Sequence, residues 1–340
     1  PQHFTPPPAI SAQVCDPPAA MAVAVPPSPS TLTGALPYAA GAAEPTDPRT
    51  YLPKLTDRVQ KSLLIAVQTN LTERFGDGRI GLVVDLGKVL PEQPVLNIHE
   101  TGCRTQGKAR LLWAFVTPVV AFFHVAASRG SKVLREILGD EYQGILCSDM
   151  YSAYKKFHDG MRQFCWAHII RGIKGIKHSC RSPDAVRFSK WMLSETGRMF
   201  ALWHAFQRGD LDRQTLILKS VPVRARMNKC LQQYVQSSDY DVRKVSKSLL
   251  KHWHGLFTFL EHEGIEPTNN SAERGARPAV QWRKICFGNQ SEEGELLTAR
   301  LLTAERTCIL QERNPFQFLV QSVIAYRNGL PAPSLLYASR

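Results

Sequence analysis

The chain has 340 residues, of which 44% are hydrophobic and 21% charged, so it can bury a sizeable core, and a collagen, a coiled coil or a wholly disordered polypeptide is excluded. Lysine and arginine number 42 against 29 aspartate and glutamate, and the net charge of +13 favours a polyanionic partner, nucleic acid before a membrane surface. Eight cysteines without regular spacing predict no disulfide framework and favour a reducing cytoplasm.

Residues 1–48 predict a disordered leader. They contain no lysine or arginine, hold 12 of the 23 prolines and show no apolar periodicity, so they cannot bury enough surface to offset the entropy of ordering. Residues 49–94 form a lead-in segment, predicted to be helical because apolar residues recur at helical spacing between 51 and 75.

Short apolar runs then predict a sheet, with a turn between Gly102 and Gly107. The predicted strands are Val95–His99, Leu111–Val116, Val119–Ala126 and Gly144–Asp149. The uncharged stretch 111–128 is interrupted by Thr117-Pro118 and contains His124, so we expect two buried strands there and no membrane span. Gly130-Ser131 opens a helix that ends at Gly139.

The remaining chain is predicted to be helical, with a short glycine-containing break before two final helices. We therefore expect an α/β protein whose mixed-sheet core is interrupted by a long all-α insertion. The predicted parts are 95–164 for the first half of the core, 165–263 for the insertion, and 264–340 for the second half with its C-terminal helices.

Two acidic residues and a basic stripe are candidates for chemistry. Asp149 ends a predicted strand, where α/β sheets present functional groups, although it also suits a turn. Glu273 lies three residues after Asn270, a spacing that predicts a helix capping box. The basic residues that follow form either a solvated face or a phosphate-binding stripe. They are Arg274, Arg277, Arg283 and Lys284.

Two cysteines and two histidines lie within sixteen positions: Cys165, His168, His178 and Cys180. They could form a zinc site, but their order is unlike that of common zinc modules, and a packed helix start is the favoured interpretation.

From about Val95 to Leu336 the chain resembles the insertion sequence 66 family of bacterial transposases. The resemblance is carried by HETGCRTQGKARLLWAFVTP, SRGSKVLREILG, GILCSDMYSAY, RQFCWAHIIR, EPTNNSAERGARPAVQWRKICFGNQSEEG and LLTAERTCILQERNPFQFL. It implies a ribonuclease-H-like core with three catalytic acids and a helical insertion between the second and the third. It also implies DNA cleavage and strand transfer of an insertion element with two Mg²⁺ or Mn²⁺ ions.

The resemblance assigns Asp149 as the second acid and Glu273 as the third, in place of a capping role alone. His99 stands where the family pattern has the first aspartate. Glu100 should point to the opposite face of its strand. Because Mg²⁺ prefers oxygen ligands, an imidazole at this position predicts impaired catalysis. Cys165 and His168 match a Cys-x-x-His signature and are supporting candidates.

The resemblance further implies DNA ends and target DNA as partners, a homo-oligomer on DNA, element-encoded helper proteins, and a bacterial cytoplasmic protein associated with the nucleoid. Full-length relatives carry zinc-finger-like N-terminal segments, which residues 1–94 do not match. Three interpretations stay open: an active or impaired transposase, a DNA-binding remnant without catalysis, and another ribonuclease-H-like nuclease.

Overall fold

The computed structural model describes residues 84–336, apart from 159, 180–181, 287 and 332. The predicted leader, the helix predicted between 51 and 75, and Cys180 therefore lie outside the described residues. The described chain begins with helix α1 (Val84–Val89) and a 3₁₀ turn (Leu90–Glu92).

The core is a five-stranded mixed sheet. Its strands are β1 (Val95–Thr105), β2 (Lys108–Val116), β3 (Ala121–Ala126), β4 (Ile145–Ser148) and β5 (Arg162–Phe164). Their order across the sheet is β3-β2-β1-β4-β5, with β1 to β3 antiparallel and with β4 and β5 parallel to β1. The predicted mixed α/β architecture is thus confirmed, and the apolar stretch around Thr117-Pro118 forms two strands as expected.

The first strand is longer than its sequence predicted. β1 pairs with β2 through Thr105 opposite Lys108, so the predicted turn at Gly102–Gly107 contracts to Gln106 and Gly107. Both of these residues have positive φ, 49° and 73°, as a two-residue hairpin of type I′ requires. The prediction was wrong because Gly102 lies inside a paired strand and does not break it.

Helices cover both faces of the sheet and form the long insertion. Those of the first core segment are α2 (Ser131–Leu138) and α3 (Ser152–Phe157). Those of the insertion are α4 (Trp166–Ser179), α5 (Pro183–Gln207), α6 (Arg213–Tyr234), α7 (Tyr240–Lys251) and α8 (Thr258–Glu261), with a 3₁₀ turn (His254–Leu256) before α8. The last three are α9 (Asn270–Cys286), α10 (Glu292–Leu310) and α11 (Pro315–Arg327).

Alternation along β1 separates two apolar cores. Leu96 and Ile98 pack with α2 and α3 on one face, whereas Cys103 packs with α9 and α10 on the other. The insertion forms a third core that continues onto the sheet through Cys147 and Phe164. In the described part of the chain, no helix is both long and apolar enough to cross a membrane.

Helix α9 is tied to β1 at both of its ends. At its start, the Asn269 amide group donates to the Ile98 carbonyl oxygen (2.7 Å). Beyond its end, Asn289 exchanges backbone hydrogen bonds with Arg104 (2.8 Å) and Gln106 (2.9 Å) at the hairpin tip. The helix therefore lies along the strand between two fixed points.

Candidate active site

Three candidate positions fall in one row, which lies where β4 and β5 end and alongside the middle of β1. Asn97 of β1 pairs with Cys147 of β4, and Ser148 of β4 pairs with Phe164 of β5. The same register, continued, sets His99 beside Asp149 and Asp149 beside Cys165. A backbone hydrogen bond from Cys165 to Ser148 (2.8 Å) continues the pairing of β4 with β5. Neighbouring strands are about 4.8 Å apart, so these side chains begin close together.

Glu273 reaches the same edge of the sheet from the first turn of α9. Its amide donates to the carbonyl oxygen of Asn269 (3.2 Å), so the helix begins one residue earlier than the predicted capping box requires. Asn269 is buried and anchors this turn in two places. Its side-chain amide donates to the Ile98 carbonyl oxygen, and its backbone N–H donates to the Cys165 sulfur (3.2 Å). The capping-box prediction for Asn270 is therefore wrong, and the Glu273 carboxylate lies beside His168 instead.

Small residues let α9 approach the sheet closely. Ala272, Ala276 and Ala279 are buried against β1 and β2. A Cβ added to Gly275 would lie 3.0 Å from a methyl group of Val116, so a larger residue would require that methyl group to move by a few tenths of an ångström.

Cys165, His168 and Glu273 bring their donor atoms together. One ligand atom from each lies within 4.8 Å of the other two. The Nδ1 atom of His168 is 3.4 Å from Oε1 of Glu273, and both atoms are buried without a hydrogen-bond partner in the described structure. Cys165 precedes α4 and His168 lies in its first turn, so the Cys-x-x-His spacing puts both side chains on one side of the helix start.

Charges at this edge act on one another. Burial lowers the pKa of His99, partly opposed by the charges of Glu100, Glu273 and Asp149, so its imidazole is neutral near pH 7. Interaction with the Cys165 side chain is the main cause that raises the pKa of His168, with Glu273 and Asp149 adding to it.

The Cys165 thiol is acidified although it is buried. Burial alone would raise its pKa, but the interaction with His168 and the hydrogen bond from the Asn269 amide outweigh that effect, and the pKa is lowered.

Asp149 has a local role as well, since its Oδ1 accepts a hydrogen bond from the Tyr151 amide (2.8 Å). Both of its predicted roles, at the strand end and in the turn, are therefore compatible with the geometry.

Glu100 points to the opposite face of the sheet. Its carboxylate accepts from the Arg129 guanidinium (2.7 Å from Nε) and from the Tyr154 hydroxyl, and its side chain is only 4% exposed. Arg129 also stacks over the Tyr151 ring, 3.8 Å from its centroid. Sequence reasoning anticipated the direction of Glu100 but not this network, because Arg129 and Tyr154 carry no local signal.

The predicted basic stripe divides over two sides of α9. Arg274 borders a cavity near the start of β1, whereas Arg283 donates to the Gly102 carbonyl oxygen on the other side. Arg283 and Lys284, together with Arg104 and Arg110 of the hairpin, line a cavity of about 620 Å³, which we call the hairpin groove. Arg277 is exposed on the helix.

A second basic cavity lies between the core and the insertion. Its volume is about 550 Å³, and we call it the insertion pocket. Among the residues that line it are Lys155, Arg162, Phe164, Lys251 and His252. Burial and the charges of Lys251 and Arg162 lower the pKa of Lys155, as expected for cations held close together. Sequence reasoning missed this cavity, because its cations come from segments about a hundred residues apart.

The zinc set suggested by sequence spacing does not assemble. His178 is exposed in the last turn of α4, ten residues after His168, which is about 15 Å along a helix. The residue whose ligand atom lies near those of Cys165 and His168 is Glu273. It is more than a hundred positions away in the sequence, so no spacing rule could have indicated it.

A comparison with protein-family models identifies one family. A model described as the transposase IS66 family matches residues 69–296. The chain is also similar to the uncharacterized protein y4qI of Sinorhizobium fredii, with 24% identity over 251 residues, covering 66% of this chain and 45% of that protein. The chain thus spans less than half the length of this relative. Because the family model covers well over half of its residues, the chain belongs to the IS66 family of transposases.

Proposed function

We propose that this chain is the catalytic part of a DNA transposase that cleaves and transfers strands of an insertion element, and that His99 impairs its catalysis. The proposal is supported by one observation above all. The register of β1 and β4, continued two residues past Asn97 and Cys147, sets His99 beside Asp149. The charges of Asp149 and of Glu273, in the first turn of α9, both act on His99. Residues separated by 50 and by 124 positions are neighbours at one edge of the sheet.

The fold is compatible with a ribonuclease-H-like core. The antiparallel strands β1 to β3 are followed by β4 and β5, which are parallel to β1 and lie on its other side. The chain leaves this sheet after β5, forms the inserted helices and returns at α9. We accordingly retain 95–164 and 264–340 as the two halves of the core and 165–263 as the inserted domain.

DDE-type transposases use divalent metal ions, and the family resemblance points to two Mg²⁺ or Mn²⁺ ions. In such centres the ions clamp the attacking and leaving oxygens of an in-line displacement at phosphorus. Here Asp149 and Glu273 offer carboxylate oxygens, whereas His99 offers a neutral ring nitrogen and no negative charge. A thiol and a second imidazole stand beside them. With His99 in place of a carboxylate, the two remaining carboxylates fit a pair of magnesium ions poorly, in line with impairment.

The test is the variant His99→Asp, which supplies the missing carboxylate. We expect it to exceed the unmodified chain at least about tenfold in strand transfer, equivalent to about 1.4 kcal/mol of barrier. Labelled DNA carrying the ends of the element would be assayed with Mg²⁺ and with Mn²⁺. Nicking of supercoiled plasmid would report cleavage that needs no end recognition.

Asp149→Asn in the His99→Asp background is the matched control and should abolish the gain. Equal activity of the unmodified chain and His99→Asp would contradict impairment, provided that both unfold at the same temperature.

DNA is the proposed polyanion for the basic surfaces. The hairpin groove and the insertion pocket both present clustered cations, and phosphate contacts by lysine and arginine dominate nucleic-acid affinity. We propose Arg274, Arg277, Arg283 and Lys284 as phosphate contacts, a homo-oligomer that holds two DNA ends, element-encoded helper proteins, and action at the nucleoid of a bacterial cell.

A DNA-binding remnant without catalysis is the second candidate, favoured by His99 itself. Calorimetric titration with Mg²⁺ or Mn²⁺ separates the two. Binding of two ions favours the enzyme, whereas salt-sensitive DNA binding without metal favours the remnant.

A further inference from the structure

We propose that Cys165, His168 and Glu273 form a binding site for one Zn²⁺ ion. Nothing in the family match assigns such a site. The inference does not depend on strand transfer, because it concerns the affinity of the folded chain for a metal and would stand if the transposition assay failed.

The geometry supports a tetrahedral ion. Two ligand atoms at about 2.1 Å from a tetrahedral zinc ion lie about 3.4 Å apart. His168 Nδ1 and Glu273 Oε1 are separated by 3.4 Å, and the Cys165 sulfur lies within 4.8 Å of its partners. The side chains therefore need little movement to close around one ion.

Two of the polar atoms in the trio are not satisfied by hydrogen bonds. His168 Nδ1 and Glu273 Oε1 are both buried, and neither makes a hydrogen bond within the described structure. An ion bound between them would give both atoms a ligand bond.

The chemistry selects zinc over magnesium. Thiolate and imidazole are ligands that suit borderline ions, whereas Mg²⁺ takes oxygen ligands in octahedral geometry. A thiolate from Cys165 and a carboxylate from Glu273 balance the two charges of Zn²⁺, with His168 neutral. Three protein ligands leave a fourth position for water, as in open zinc sites.

The backbone around the trio holds it in place. The Cys165 backbone N–H donates to the Ser148 carbonyl oxygen at the end of β4, and the Cys165 sulfur accepts from the Asn269 backbone N–H. The Trp166 backbone N–H donates to the Pro267 carbonyl oxygen (2.9 Å). The first turns of α4 and α9 are thereby fixed against each other, so the donor atoms are positioned before any ion arrives.

Co²⁺ is the probe, because a cobalt thiolate absorbs in the near ultraviolet and a tetrahedral cobalt ion absorbs strongly in the visible. The full chain, purified under reducing conditions and stripped with a chelator, would be titrated with Co²⁺. We expect one equivalent to give both absorptions, stoichiometric Zn²⁺ to bleach them, and a large excess of Mg²⁺ to leave them unchanged.

Variants assign the ligands. Cys165→Ser should remove the near-ultraviolet band, and His168→Gln should weaken Zn²⁺ binding at least about tenfold, since even outer partners of a metal site contribute that much. Cys308→Ser and His124→Gln are the matched controls, as Cys308 is equally buried and His124 is half-buried on β3. Both should bind Co²⁺ like the unmodified chain.

The unfolding temperature provides a second measurement. Zn²⁺ should raise it for the unmodified chain and for both controls, but not for Cys165→Ser, because an ion that binds only the folded state stabilises it. A near-ultraviolet band that persists in Cys165→Ser, or a chain that binds neither ion, would overturn the proposal.

Discussion

At the scale of single residues, the molecule contains a carboxyl group whose charged form is destabilised by burial. Glu305 lies in α10, its Oε2 atom is buried without a hydrogen-bond partner in the described structure, and Arg306 is 3.9 Å away. Burial raises the pKa of Glu305, and the charge of Arg306 only partly opposes it. The folded chain therefore binds this proton more tightly than the unfolded chain does.

A dependence of stability on pH follows for Glu305→Gln. Because the folded pKa is raised, the unmodified chain loses stability as pH rises above the unfolded value of about 4.3, and the neutral variant does not. We expect the variant to be more stable at pH 7 by about 1 kcal/mol, with the difference vanishing below pH ~4. Urea unfolding across this range is the measurement.

Glu263→Gln, which changes an exposed carboxylate, is the control and should show no such trend. A difference that grows toward acid pH would mean that the folded state stabilises the charged form of Glu305.

The sequence singled out Asp149 and Glu273 as candidates from local patterns. Asp149 ends a recognisable strand, and Glu273 stands in a motif whose pattern is local. The contact of Glu273 with Cys165 and His168 could not be predicted, because it depends on how closely α9 packs on the sheet, and therefore on Gly275 and its alanine neighbours.

At the scale of elements, the approach of α9 to the sheet can be tested at Gly275. A leucine there would press on the stiff, buried Val116 side chain, and overpacking of this kind costs about 1–3 kcal/mol. We expect Gly275→Leu to lower the unfolding temperature and to displace Glu273, and therefore to weaken Zn²⁺ binding as well.

Gly197→Leu is the matched control. Gly197 is exposed within α5, and nothing lies within 4 Å of an added Cβ. Since leucine is a better helix former than glycine, this variant should be neutral or stabilising by up to about 1 kcal/mol. Equal destabilisation by the two leucines would contradict the close-packing argument.

Some helices and strands could be predicted from the sequence and others could not. The insertion helices were predictable because their apolar spacing persists over many turns, and α2 because Gly130 and Gly139 bound it. β5 was missed, since its three residues, Arg162 to Phe164, are too few to show alternation and exist as a strand only through pairing with β4. The extension of β1 was missed for the same reason: a partner strand, not local preference, keeps Gly102 extended.

At the scale of the whole molecule, the positive charge should act through particular surfaces. Replacing Lys155 and Lys251 of the insertion pocket with glutamine should weaken DNA binding. It should also reduce the slope of log affinity against log salt by about 0.9 for each phosphate that the protein no longer neutralises. Fluorescence anisotropy with labelled duplex at several salt concentrations would measure both quantities.

Lys190→Gln with Lys229→Gln removes the same charge from exposed positions of the insertion and is the control. Because these lysines lie outside the pocket, we expect a smaller change in affinity and an unchanged salt slope. If the two pairs behave alike, net charge rather than the pocket governs binding.

The attachment of α9 to β1 at both ends constrains how this protein can vary in length. Its first turn is held at Ile98 and the loop after it at Arg104 and Gln106, so helix and strand must span matching distances. Inserting one residue into α9 would rotate everything beyond it by about 100° and lengthen the helix by about 1.5 Å, leaving one attachment unsatisfied. Insertions and deletions should therefore be rare in this helix among related sequences, and should accumulate in the loop around Gly209 between α5 and α6 instead.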